Sequence, residues 1–385
     1  MSAEATRGAA VPYWRLSGFY FFYFATVGAL LPYWGVYLKR LGFDSAAIGE
    51  LLAILVGTRI VAPNVWGWIA DHRSHRMAIV RLATLLSCVA FAGVFFAHGF
   101  LPLALVMLSF GFFWSAALPQ FEATTLNHLG DSVNAYTRVR LWGSIGFIAT
   151  VWALGALMER SGIGLLPPVV FVLMIGIWLM STLVPEQAAG HLPLAHSPLR
   201  SVLSRAPVIA LLAACFLMQA AHGAYYAFYS IYVEAHGYAS ATVGALWALG
   251  VIAEVAVFLV MHRLLHRFGL RRLLLASFLL GVVRWLLIAW YVDVLPLLLI
   301  AQVLHAATFG VYHATAIQLI HRYFTGRNQG RGQALYSSLS FGAGGALGTL
   351  LGGYSWGSLG STLTYTGSAL VCALGFVIVW RWVGD

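Results

Sequence analysis

The stretch YLKRLGFDSAAIGELLAILVGTRI (37–60) returns, without a gap, as YVEAHGYASATVGALWALGVIAEV (232–255). Tyr37/Tyr232, Gly42/Gly237, Ser45/Ser240 and Gly49/Gly244 coincide. The same offset lays Asp71-His72-Arg73 over His266-Arg267-Phe268, and Arg76 over Arg271. The chain is therefore read as two copies of one unit, each about half its length.

Apolar runs surround both copies. Of the 385 residues, 61% are hydrophobic and 9% charged, against about 25% charged in soluble domains. The runs are ~20 residues or longer, enough to cross a hydrocarbon layer about 30 Å thick. Roughly twelve meet that length rule, and helices alone satisfy their backbone groups in lipid. The expected fold is an all-α membrane protein. Six helices (1–184) would form an N-terminal bundle, 185–206 a polar Pro-, His- and Ser-rich linker, and 207–385 a C-terminal six-helix bundle. Cys88, Cys215 and Cys372 stand alone in separate helices, without a disulfide or metal spacing. MSAEATRGAAVPYWR at the start has no cleavable-signal pattern.

The formal net charge is +10, a balance that raises the prospect of a nucleic-acid partner. Its distribution argues against one. With the N-terminus in the cytoplasm, Lys39, Arg40 and Arg160 fall outside and Arg59 and Arg284 within helices. The other Lys and Arg residues fall on the cytoplasmic side. This is the positive-inside bias, and it places both termini in the cytoplasm. Parallel six-helix repeats around a central site are the architecture of rocker-type secondary transporters.

A charge at mid-membrane costs at least ~2.5 kcal/mol, so each such residue needs a reason. Glu50, Glu159 and Glu234 lie near helix ends, where snorkelling or anchoring suffices; Tyr33 and Tyr37 suit an interfacial aromatic belt. Arg59, Glu122, Glu254, Arg284, His222, His305 and His313 lie deeper and point to a functional pathway. In QVLHAATFGVYHATAIQLI (302–320), a regular helix at about 100° per residue would put Gln302, His305, Thr308, Tyr312 and His313 along one polar face. Gln219, His222, Tyr226 and Tyr229 form a second stripe, and Tyr23 is a third cavity candidate. GAGGALGTLLGG (342–353) spaces Gly344, Gly348 and Gly352 four apart, a close-packing face between helices. His305 and His313 are eight apart and no HExxH is present, so neither a metal nor a cofactor is expected, and the chain does not read as an enzyme.

The loop GWIADHRSHR (67–76) resembles the signature loop of the major facilitator superfamily, with Gly67, Asp71 and Arg76 matching. HRLLHRFGLRR (262–272) is its second copy, with His266 in place of the Asp. Glu122, Arg140 eighteen residues later, and WGSIGF (142–147) resemble the lactose permease branch; Glu254, Arg284 and LHAAT extend the likeness. That branch has a carboxylate three residues after its histidine, where Thr308 stands here. RVRLWGSIGF, AEVAVFLV, VVRW and LHAATFGVYH are more similar to 3-phenylpropionate permease-like members, whose helix-two Arg is matched by Arg59. The resemblance implies a major facilitator fold with Asp71 and Arg76 in gating.

Three function classes fit this pattern to different degrees. The preferred one is a proton-coupled symporter importing a small organic solute by alternating access, with an aromatic carboxylate as one candidate and a sugar or nucleoside as the other. Proton-antiport export of drugs or metabolites is second, disfavoured because the fifth helix, LWGSIGFIATVWALGALMER, has no proline. A membrane enzyme or metal protein is third. In the preferred reading Glu254, Arg284, His305 and His313 couple the proton, with Arg284 toggling Glu254. Arg59, Glu122, Arg140, Tyr23, His222, Tyr226, Tyr229, Gln302 and Thr308 are the substrate candidates. The expected partners are a small-molecule substrate, protons and the lipid bilayer; the expected state is a monomer in a bacterial inner membrane.

Overall fold

The computed structural model describes residues 11–72, 75–130, 133–187, 199–326 and 328–384. Among them the secondary structure is helical, with no strand. The first six spans are α1 (Tyr13–Arg40), α2 (Ser45–His72), α3 (Arg76–Ala92), α4 (Phe100–Leu129), α5 (Val133–Ser161) and α6 (Leu166–Leu183). A short helix, Leu199–Leu203, precedes the second six: α7 (Ala206–Ala235), α8 (Ser240–Phe268), α9 (Leu270–Trp290), α10 (Leu295–Tyr323), α11 (328–359) and α12 (Ser361–Trp382). Eleven of these are long and apolar enough on their own to cross a membrane. The twelfth, α11, is helical throughout but has a π-helical stretch, Ser338–Gly344, in its middle. A second π stretch, Ala306–Val311, lies inside α10.

Local chemistry sets the helix ends. Asp44 Oδ1 accepts the backbone N–H of Ala47 at 2.8 Å, so one of the orphan donors at the start of α2 is satisfied. Gly42 and Gly237, matched in the repeat, have φ of 90° and 83°. Each closes its helix the same way: Phe43 N–H reaches Leu38 O and Tyr238 N–H reaches Val233 O, both at 3.3 Å. That bond across a left-handed residue is the Schellman cap, which glycine adopts at least cost. The Gly42/Gly237 coincidence is thus a turn requirement.

The two halves repeat each other's packing. In the first, α1 packs on α5 and α6, α2 on α4, and α3 on α4 and α6. In the second, α7 packs on α11 and α12, α8 on α10, and α9 on α10 and α12. Without a hydrophobic drive between helices in lipid, close approach comes from small residues. Gly344, Gly348 and Gly352 do this work in α11, lying against Phe216, Ala220 and Ala224 of α7. Outward faces carry large apolar side chains such as Trp14, Phe96, Leu101, Trp152, Leu259 and Leu370.

The halves meet mainly through α1 with α7, α2 with α11, and α5 with α8. Their tightest contacts gather at the end opposite the described chain ends. A Cβ on Gly49 would lie 2.8 Å from the Cα of Gly353, and one on Gly155 would lie 2.6 Å from Ser240 O. Tyr33 Oη donates to Val151 O of its own half at 2.8 Å and would lie 2.7 Å from a Cβ on Gly244 of α8, and Tyr354 donates to Glu50. Tyr33 is therefore a buried seam residue rather than part of an aromatic belt, and Glu50 bridges α2 and α11 rather than only anchoring a helix end. Toward the other end, Asn64 Nδ2 donates to Ser338 Oγ at 3.2 Å.

Candidate functional site: a polar cleft between the halves

Arg59, Glu122, Arg140, Tyr226, Glu254 and His313 lie well inside their helices yet remain partly exposed. Electrostatic reach links them across the halves. Arg59 acts on Tyr23 and on Tyr226 across the halves, and Arg140 acts on Glu254 and His313. These residues border one gap, contributed by α1, α2, α4 and α5 on one side and α7, α8 and α10 on the other.

The N-terminal wall is cationic and aromatic. Arg140 Nε lies 3.8 Å from Glu122 Oε1, and its guanidinium sits 3.9 Å above the centroid of Phe24 and 5.4 Å from that of Tyr20. Tyr136 lies alongside both Glu122 and Arg140. Tyr23 is nearly buried, with its ring 5.3 Å from Trp114 and 6.1 Å from Phe19. Arg59 makes no hydrogen bond or ion pair with any described residue. Its five donors in a planar fork thus have no protein acceptor among the described residues.

The C-terminal wall differs. Glu254 Oε2 stands 3.8 Å from His305 Nε2. The stem of Glu254 lies against Gly310, where an added Cβ would come within 3.1 Å of its Cγ. His305 stacks on Phe309 at 5.3 Å, and Phe309 on His313 at 6.1 Å. His313 Nδ1 pairs with Tyr336 Oη at 2.9 Å.

Arg284 is fully buried behind this wall. Its Nε donates to Ala301 O at 3.0 Å, and one terminal nitrogen donates to Thr308 Oγ1 at 3.0 Å and to His222 Nε2 at 3.2 Å. His222 Nδ1 contacts Met218 O at 2.8 Å. A carbonyl only accepts, so Nδ1 carries the hydrogen and Nε2 offers its lone pair to Arg284. The histidine is therefore neutral in this arrangement. The rings of Tyr225 and Trp285 lie 4.3 and 4.5 Å from the guanidinium carbon, a cation–π pair of contacts.

Several expectations change accordingly. Arg284 meets His222 and Thr308, not Glu254; the group beside Glu254 is His305. His222, Tyr229, Gln302 and Thr308 are sealed inside the C-terminal half, with Gln302 Oε1 accepting from Tyr225 Oη at 2.9 Å. The single polar face expected on α10 does not form. The i→i+5 pattern over Ala306–Val311 widens the helix, so residues beyond it leave the register of a regular α-helix. Asp71 closes α2, but its side chain lies outside the described residues, and Arg76 opens α3. Sequence reading also passed over Phe24, Trp114, Tyr136, Tyr225, Trp285 and Tyr336. Tyr225 sits one turn from His222 and Trp285 follows Arg284, so neighbours of the deep cations were the available signal. Among the described residues no group of three or more His, Cys, Asp or Glu is placed to hold a metal.

Comparison with known proteins places this geometry. The model of the MFS_1-like family matches residues 13–366. A probable 3-phenylpropionic acid transporter of Escherichia coli K12 is 34% identical over 354 residues, covering 89% of this chain and 90% of that protein. The maltose permease of Geobacillus stearothermophilus is 28% identical, covering 92% and 90%. A crystal structure of a mutant of the nucleoside transporter NupG superposes with a TM-score of 0.85 at 17% identity, over 96% of this chain and all of that one. A bacterial homolog of the human lysosomal transporter Spinster gives 0.69 at 12% identity, over 97% of each chain. The chain belongs to the MFS_1-like family of the major facilitator superfamily, and is a multi-pass membrane transporter rather than an enzyme.

Proposed function

We propose that this chain imports a ring-bearing carboxylate together with a proton, by alternating access between the 1–184 and 207–385 halves. The observation that carries the substrate class is Arg59, a partly exposed guanidinium without a protein partner among the described residues, within electrostatic reach of Tyr23 and Tyr226. A carboxylate matches the two-pronged guanidinium, and an aromatic ring stacks on the flanking tyrosines. The 3-phenylpropionic acid transporter relative supports the same class.

Glu254 is the proposed proton carrier, with His305 as its relay at 3.8 Å. Protonation drives transport only if it shifts the balance between the two access states. A carboxylate at the gap can do so, because neutralising it removes its attraction to Arg140 on the opposite half. His313, paired with Tyr336, lies beyond the Phe309 ring toward the end bearing the termini, as a separate proton acceptor on that side. With that end cytoplasmic, as the Lys and Arg distribution supports, the seam at Gly49, Gly155 and Tyr33 is the closed outer gate. The protein would then be inward-open, a monomer in the bacterial inner membrane.

A second reading rests on the Glu122–Arg140 pair. Two opposite charges over aromatic rings suit hydroxyl groups, and a maltose permease is among the relatives. The test is uptake into proteoliposomes with an inward proton gradient, comparing 3-phenylpropionate, its amide and maltose as competitors. Competition by the acid alone supports the carboxylate reading; equal competition by acid and amide rejects it.

A further inference from the structure

At the inner end of the C-terminal half, a recess of about 420 Å³ opens between the α8–α9 turn and the last turns of α10. Its walls are Leu265, Phe268 and Leu270 on the apolar side and Arg272, Gln318 and Arg322 on the polar side, with Gly269 at the turn. Phe268, Arg272, Gln318 and Arg322 are exposed. The recess sits where three apolar spans end together, at Phe268, Leu270 and Tyr323, and so at the boundary between hydrocarbon and water.

Its cations lack an answering charge. Arg272 and Arg322 make no hydrogen bond or ion pair with a described residue. The neighbouring Arg271 differs, donating to Trp380 O at 2.6 Å. In the described part of this half the carboxylates are Glu234, Glu254 and Asp293. Glu234 and Asp293 flank turns at the opposite end, and Glu254 borders the central gap. At the corresponding end of the N-terminal half the protein supplies its own acceptors: Arg81 donates to Ser181 O and Val184 O, and Arg15 to Leu183 O.

The geometry points to a binding site for one anionic glycerophospholipid. Its phosphate lies between Arg272 and Arg322, its headgroup hydroxyls meet Gln318, and its acyl chains run along Leu265, Phe268 and Leu270. A basic recess between spans at the membrane surface is chemically suited to such headgroups. The two apolar leucines and the exposed phenylalanine distinguish it from a site for a free phosphate, which has no use for an apolar wall.

Native mass spectrometry of the purified full chain in detergent tests this. Phosphatidylglycerol and phosphatidylcholine are added in matched series, with inorganic phosphate as a separate competitor. Phosphatidylglycerol is expected to remain bound to one site, phosphatidylcholine not, and millimolar inorganic phosphate is expected not to displace it. At about 1 kcal/mol per basic residue near an anionic surface, the Arg272→Gln/Arg322→Gln pair weakens retention ~30-fold and either single change ~5-fold. Arg272→Lys/Arg322→Lys restores most of it, which separates charge from folding. Arg160→Gln, at the opposite end, leaves it unchanged. Retention unchanged in the double variant, equal retention of phosphatidylcholine, or displacement by inorganic phosphate would each overturn the proposal.

Discussion

The two halves share a packing plan and differ in how they treat charge. In the N-terminal half, Arg59 and Arg140 open onto the gap, one unpaired and one resting on Phe24 beside Glu122. In the C-terminal half, Arg284 is walled in and held by a carbonyl, a hydroxyl and a neutral histidine, with its second terminal nitrogen left without an acceptor. Tyr226, Glu254 and His313 are the partly exposed residues on that side, with His305 and Phe309 stacked between the last two. A duplicated scaffold has thus been given two electrostatic tasks. The open cations suit an external anion that must enter and leave. The enclosed one polarises its surroundings without being available to solute. The proposed division is that the N-terminal wall chiefly recognises solute and the C-terminal wall carries the proton.

The largest expected effect tests the C-terminal task. Glu254→Gln keeps size and hydrogen bonding but cannot titrate. Proton-driven accumulation in proteoliposomes should vanish while counterflow exchange continues. Accumulation at the wild-type level would end the division of labour as stated.

Arg59→Gln tests the N-terminal task. A charged hydrogen-bonding contact is worth about 1.5–3 kcal/mol, so binding of an aryl-propionate should weaken roughly 10- to 150-fold. Binding of the matched amide should barely change. Calorimetry on both ligands reads the difference directly, and an equal loss for acid and amide would make Arg59 structural.

Thr308→Val sharpens the contrast from inside the nest. It preserves shape and removes one of the acceptors of Arg284. A buried donor left unpaired costs about 1–3 kcal/mol. Thermal stability should fall while substrate affinity stays within about threefold. A large affinity loss with no change in stability would bring Thr308 back to the solute-binding wall.

These tests draw on features the sequence exposed unevenly. The duplicated stretch, the spans and the glycine face at 344–352 were legible because they depend on spacing along single helices. Glu254 and Arg59 stand out because any charge at that depth is costly, and Arg140 through the resemblance of 122–147 to the lactose permease branch. Their partners were not legible. Helix adjacency pairs Arg284 with Glu254, yet which neighbour a guanidinium meets depends on helix rotation, which no single-helix pattern contains. The π stretch in α10 added a second obstacle. It moved His313 out of the expected stripe, and no residue in AATFGV announces a widened turn. Tyr33 departs from expectation for a related reason: the same tyrosine serves a lipid interface or a seam, and the approach of Gly244 from the other half decides.

The smallest expected effect on binding concerns the inner loops, where the repeat places His266 opposite Asp71. Asp71 ends α2, far along the helix from Arg59, and carries the acid of the signature loop, whereas its counterpart lies among cations at the end of α8. If the loop's acid holds one access state, Asp71→Asn changes the energy difference between states but no contact with solute. Turnover should slow several-fold while equilibrium affinity moves by less than tenfold, about 1.4 kcal/mol. His266→Asn, at the repeat-related site without an acid, should change neither. Paired transport and calorimetry on the two variants read both quantities. An affinity loss beyond tenfold in Asp71→Asn would place that residue with the solute. A matching slowdown in His266→Asn would mean that the inner loops act as equals, despite their difference in charge.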